Sequence, residues 1–177
     1  MNYFLLLFAI FYFTQHFLDS WLTWLNSVHV RKHQHTVPAY FRDKISLDEY
    51  QKSIAYTREK ARFGMIASWV EVPIFWGLLL SGFYGTLDVV VRSPEFGPIV
   101  TGLLYLAAVS VVFFLISLPF GLYSTFVIEQ KYGFNRMTLK LWLVDLFKSI
   151  LLSILIGGPI LAAVLWFMDR HLHGLWW

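Results

Sequence analysis

No cysteine occurs anywhere in the sequence, which excludes both disulfides and thiolate metal sites. Charge is also scarce. Asp, Glu, Lys and Arg make up 14% of the residues, whereas soluble domains average about 25%. The zinc-peptidase motif H-E-x-x-H is missing too. Its nearest approach is HVRKH, residues 29–33, where Val30 stands in the place of the glutamate. The chain therefore has no ready-made metal-activated hydrolytic centre.

What is abundant is apolar. Hydrophobic residues make up 58% of the 177 and aromatics 19%. A water-soluble chain of this length could not bury so much apolar surface, so the composition predicts an all-α integral membrane protein. The formal net charge of +3 would suggest nucleic acid in a soluble protein. Here the basic residues gather in loops beside apolar segments, so the bilayer is the expected partner and nucleic acid is not. The first stretch, MNYFLLLFAIFYF, lacks a positive leader and a small-residue cleavage site. It reads as a retained span rather than a cleaved signal peptide.

Four segments are long and apolar enough to cross a bilayer: about 2–25, 65–87, 99–128 and 149–168. About 20 helical residues suffice for a crossing. The third segment is longer than that and must tilt, bend at Pro119 or project. The loop over about 26–64 carries Arg31, Lys32, Arg42, Lys44, Lys52, Arg58, Lys60 and Arg62. The loop over about 129–148 carries Lys131, Arg136, Lys140 and Lys148, whereas Arg92 alone lies between spans two and three. The positive-inside rule then puts loops one and three in the cytoplasm and both termini outside or in the lumen.

Both basic loops carry helix signals. Ser46 and Glu49 form a capping-box pattern, with Ile45 and Tyr50 placed as a hydrophobic staple. That helix is expected to run to about Phe63 and stop near Gly64. A second amphipathic helix is expected to start near Asn135, which can cap it, lie in the interface and run into span four. GGP at 157–159 sits within span four, where small residues favour close helix packing and Pro159 can bend the helix. There is no internal repeat, and residues 1–177 read as one membrane domain.

Two stretches carry a resemblance. VPAYFRDKISLDEYQKSIAYTREKARFG (37–64) and LPFGLYSTFVIEQKYGFNRMTLKLWLVDLFKSILLSILIGGPILAAVLWF (118–167) are similar to the N-terminal membrane region of the CAAX prenyl protease 1 family, integral-membrane zinc metalloendopeptidases. YSTFVIEQKYGFN is the most specific part. The resemblance implies a helical membrane fold enclosing a chamber, and cleavage of C-terminal peptides from prenylated CAAX proteins or other membrane-associated substrates. It also implies that zinc is held by H-E-x-x-H and a downstream Glu, C-terminal to the matched region, so the chain by itself would bind no zinc and hold no catalytic residue. The expected partners are the bilayer, a C-terminal metallopeptidase domain and a peptide or prenylated substrate. The membrane would be the plasma or inner membrane in a bacterium and the endoplasmic reticulum in a eukaryote. A different class of protein, a free-standing four-span scaffold or partner subunit, is the alternative.

Several side chains are candidates beside that frame. His29 and His33 lie four apart on one helix face, and His35 follows. No base stands between them, and Arg31 and Lys32 would repel a dication. The preferred reading is a basic juxtamembrane segment in which Arg31 and Lys32 meet lipid headgroups, with His29 and His33 a decoy. His171 and His173 read as a tail rather than a ligand pair. Glu71 is the one formal charge in span two and a chamber-lining candidate; the competing reading pairs it with a loop-one cation. Gln15, His16 and Asp19 form a polar cluster suited to helix–helix hydrogen bonding. Glu129 and Asn135 are the candidates in IEQKYGFNR. Gly133 and Asn135 are explained as a turn and a cap, but Glu129 is not; the resemblance is densest here and implies that this segment, Glu129 included, lines the chamber.

Overall fold

The computed structural model describes residues 3–170, the Ala39 side chain excepted. His171 and His173 lie outside the described residues. The elements are helical: α1 (Tyr3–Lys32), one 3₁₀ turn (Ala39–Phe41), α2 (Leu47–Leu80), α3 (Phe83–Arg92), α4 (Pro98–Tyr132) and α5 (Leu139–Arg170). Of these, α1, α2, α4 and α5 are long and apolar enough to cross a membrane. The described chain is all-helical, with four such spans.

The boundaries differ from the sequence expectation in three places. Gly64 does not stop the loop-one helix, which is continuous with span two. A mid-helix glycine costs about 1 kcal/mol, less than leaving backbone groups unpaired where apolar residues enter the membrane. Span two also ends sooner than residue 87. Gly82 takes a left-handed φ of 76° between α2 and α3, a conformation that glycine adopts without steric cost. Finally, the second loop helix runs into span four, as expected, but starts later than Asn135. Thr138, not Asn135, is the N-cap of α5, its hydroxyl accepting from the Leu141 N–H at 3.2 Å. The capping box at the start of α2 forms as its spacing predicts: the Ser46 N–H and Oγ both donate to Glu49 at 2.9 Å, and the Glu49 N–H donates to Ser46 Oγ at 3.2 Å.

Two compact units share the chain, 1–74 with 120–135 and 75–119 with 136–177. In the first unit, α1 meets α2 through polar contacts. His16 Nδ1 lies 3.1 Å from Ser68 Oγ, and the Trp69 indole N–H donates to Ser20 Oγ at 2.7 Å. His16 thus serves helix–helix bonding, as expected, through Ser68 of α2. Phe63 of α2 stacks on Tyr123 of α4 with ring centres 4.8 Å apart. The buried apolar side chains of this unit are Ile54, Ala67, Val72 and Ile128.

In the second unit, Gly102 of α4 is the point of close approach. A Cβ there would lie 2.9 Å from Leu165 Cδ1 of α5. By contrast, a Cβ on Gly157 or Gly158 would meet nothing within 4 Å. The small-residue packing expected of GGP is therefore not made by those two glycines among the described residues. A π turn over Ser153–Gly157 precedes Pro159, consistent with proline removing an N–H from the helical ladder.

Candidate functional site

The densest polar constellation lies in the first unit, where the polar part of α2 faces the end of α4. Both segments lie outside the apolar stretches that begin near Met65 and end near Ile128. The last turns of α4, Ser124–Glu129, are wound as a π-helix. An extra residue per turn rotates everything after it relative to the preceding α-helix, and such turns recur at functional sites. Here the rotation accompanies two outcomes. Ile128 is 1% exposed, and Glu129 is held by α2.

Lys60 Nζ lies 2.7 Å from Glu129 Oε1 and donates to the Tyr56 hydroxyl at 2.9 Å. Two residues along α4, Lys131 Nζ donates to both oxygens of Glu59, at 2.9 and 2.7 Å. The Tyr132 hydroxyl donates to Glu59 Oε2 at 2.6 Å. The pairs run crosswise, since neighbours Glu59 and Lys60 on α2 bind Lys131 and Glu129 on α4. Aromatic faces flank both: Tyr56 lies 4.7 Å from Phe134 and 5.7 Å from Tyr132, centre to centre. Lys60 and Lys131 also sit over the rings of Tyr56 and Tyr132.

The backbone beyond Glu129 is fixed as well. The Phe134 N–H donates to the Glu129 carbonyl at 2.9 Å and the Gly133 N–H to the Gln130 carbonyl at 3.0 Å. Gly133 has φ 73°. These three features make a Schellman ending, which requires a left-handed residue at that position. Asn135 is drawn in as well, its side-chain amide donating to Gln130 Oε1 at 3.2 Å.

The pairing shifts titration. Hydrogen bonds from Lys131 and Tyr132 hold Glu59 below the ordinary carboxylate range, and the Glu59 carboxylate raises Lys131 and Tyr132 above theirs. Glu129, with Tyr56, raises Lys60. The Ser46 cap lowers Glu49. A depressed carboxyl contributes stability that is present above its unfolded pKa and lost as pH falls through its folded one. A raised lysine contributes stability lost only as pH climbs through its elevated pKa. A melting series is therefore expected to show the advantage of the native chain over Glu59→Gln at pH 7, shrinking below about pH 4.5. An advantage that does not change down to pH 3 would contradict it.

Beside the paired cluster is a cavity of about 690 Å³, with walls that include Trp24, Arg58, Glu59, Arg62, Tyr123 and Lys131. The other sequence candidates do not join it. Glu71 is half-buried on α2 and forms no hydrogen bond or ion pair among the described residues, so the expected pairing with a loop-one cation is not made. His29, near the end of α1, and His33, in the turn just past it, have ring centres 4.4 Å apart, and His33 Nδ1 lies 2.9 Å from the His29 carbonyl. Asp19 is exposed. Glu59, Lys60 and Lys131 escape sequence reasoning because about 70 residues separate the partners. Only the opposed signs within EK at 59–60 and EQK at 129–131 hint at a crossed pair.

Residues 26–177 match the family profile described as CAAX prenyl protease N-terminal, five membrane helices. The chain belongs to this CAAX prenyl protease N-terminal family. The CAAX prenyl protease 1 of Saccharomyces cerevisiae is 31% identical over 153 residues, covering 80% of this chain and 33% of that protein. The rice CAAX prenyl protease 1 homolog is 37% identical over 140 residues, 73% of this chain and 32% of its own length. The crystal structure of S. mikatae Ste24p aligns with a TM-score of 0.80 at 28% identity, over 93% of this chain and 39% of that one. The chain thus spans about a third of the length of the curated relatives it matches. The CAAX protease profile starts at residue 26, upstream of Val37, and includes HVRKH. It counts five membrane helices, whereas four among the described residues are long and apolar enough to cross, and α3 has ten residues.

Proposed function

We propose that the chain is the part of a CAAX-type zinc metalloendopeptidase that forms the chamber wall and receives the substrate, a C-terminal prenylated or other membrane-associated peptide. The observation that carries this reading is the family fold without H-E-x-x-H. The alignment with Ste24p covers 93% of the chain, yet the 177 residues contain no such motif. Nor does the donor set fit zinc. Among the described residues no three His, Asp or Glu side chains cluster as a metal site would need. We assign zinc to residues outside this sequence. In this reading the basic loops, with the Glu59–Lys131 and Lys60–Glu129 pairs, face the cytoplasm, as the positive-inside rule favours.

A chimera provides the test. The chain replaces the corresponding third of the yeast CAAX prenyl protease 1, and both the chimera and the isolated chain are assayed on a farnesylated CAAX peptide. The isolated chain is expected to be inert. The chimera is expected to cleave, and to stop when zinc is chelated. A folded, membrane-inserted chimera without activity would favour the non-catalytic scaffold.

A further inference from the structure

We propose that the cavity beside the crossed ion pairs binds an anionic phospholipid, its phosphate against Arg58 and Arg62 and its upper acyl chains along the apolar wall. Four observations converge on this occupant. First, of the four charged groups in the cavity wall, Glu59 and Lys131 neutralise each other, while Arg58 and Arg62 have no hydrogen bond or ion pair among the described residues. The wall therefore carries two uncompensated positive charges. Second, Arg58 and Arg62 are i, i+4 neighbours on α2, one above the other on a single face. Arginine's planar fork matches phosphate oxygens two at a time. Third, polarity changes along the cavity at the place where α2 changes. The wall continues from Arg62 into Phe63, Met65 and Ile66, where the apolar segment begins, with Trp24 across on α1. A headgroup followed by hydrocarbon has the same order of polarity, whereas a free anion would leave the apolar wall wet. Fourth, about 690 Å³ is within the roughly 300–1,000 Å³ of small-molecule sites. Trp at such a level is also the usual interfacial anchor.

The test uses the full chain in a neutral detergent, titrated with short-chain phosphatidylglycerol and followed by tryptophan fluorescence and native mass spectrometry. One bound lipid per chain is expected. The Arg58→Gln/Arg62→Gln double variant is expected to bind about 25-fold more weakly, at roughly fivefold per arginine. Arg58→Lys/Arg62→Lys is expected to retain part of the affinity, and Arg136→Gln, outside the cavity, all of it. Should the glutamine variant fail to fold, the lysine variant carries the comparison: its affinity must fall below that of the native chain. Phosphatidylcholine of the same chain length is expected to bind at least tenfold more weakly, and inorganic phosphate at matched ionic strength not to displace the lipid. Equal binding by phosphatidylcholine, or by either arginine variant, would overturn the proposal. Displacement by inorganic phosphate would reduce the cavity to a simple anion site. Displacement by an acidic peptide at comparable concentration would reassign it to a peptide.

Discussion

Ile128→Ala is expected to lower the unfolding free energy by about 2–4 kcal/mol, the usual range for emptying a fully occupied aliphatic site. At 1% exposed, Ile128 is the largest fully buried side chain among the described residues. Its burial depends on the π turn that also delivers Glu129 to Lys60. In a membrane chain the loss comes less from transfer out of water than from dispersion contacts with no replacement. The polar cluster immediately beyond it limits how far the site can collapse. The adjacent Val127 is 46% exposed and provides the control, since a surface truncation costs within about 0.5 kcal/mol. The measurement is reversible unfolding in mixed micelles for both variants. If they are equally stable, Ile128 does not anchor the α4 end.

Legibility in the sequence depends on how far apart the interacting residues lie. The spans are legible because length and lack of charge suffice to define them. The Ser46–Glu49 box is legible because its partners are three residues apart. Gly133 is legible because a left-handed turn leaves few alternatives. Gly64 misleads about the end of the loop-one helix, because its local preference is overridden by hydrogen bonding along the span. Asn135 draws a cap assignment that belongs to Thr138, since both are good capping residues three apart and only the chain path chooses. The crossed pairs are out of reach because no periodicity links α2 to the end of α4. The π turn, which sets the facing of Ile128 and Glu129, has no sequence signature in STFVIE.

Glu129→Ala carries the largest expected functional effect. In the complete peptidase proposed above, kcat/KM for a prenylated peptide is expected to fall about 10–100-fold, the scale on which small misplacements cost activity. Stability is expected to change far less. Lys60 is 46% exposed and Glu129 24%, so the orphaned ammonium can return to water, and exposed pairs contribute modestly. Glu129 is held at both ends. Its carboxylate is fixed by Lys60 and its carbonyl accepts from the Phe134 and Asn135 N–H groups. Removing the carboxylate takes away one tie of the α4 end to α2, leaving the Lys131–Glu59 pair and the backbone turn in place. In the reading proposed above Glu129 is a positioning residue, and a reciprocal exchange distinguishes positioning from mere folding. Lys60→Glu combined with Glu129→Lys restores the ion pair with reversed polarity, and is expected to recover most of the activity lost by either change alone. Non-additivity of this kind is what coupled neighbours produce. If Glu129→Ala cleaves as well as the native enzyme, with equal expression, the segment has no part in shaping the site. If the exchange recovers nothing while Glu129→Ala is impaired, the carboxylate itself meets the substrate, and its pairing with Lys60 is incidental to catalysis.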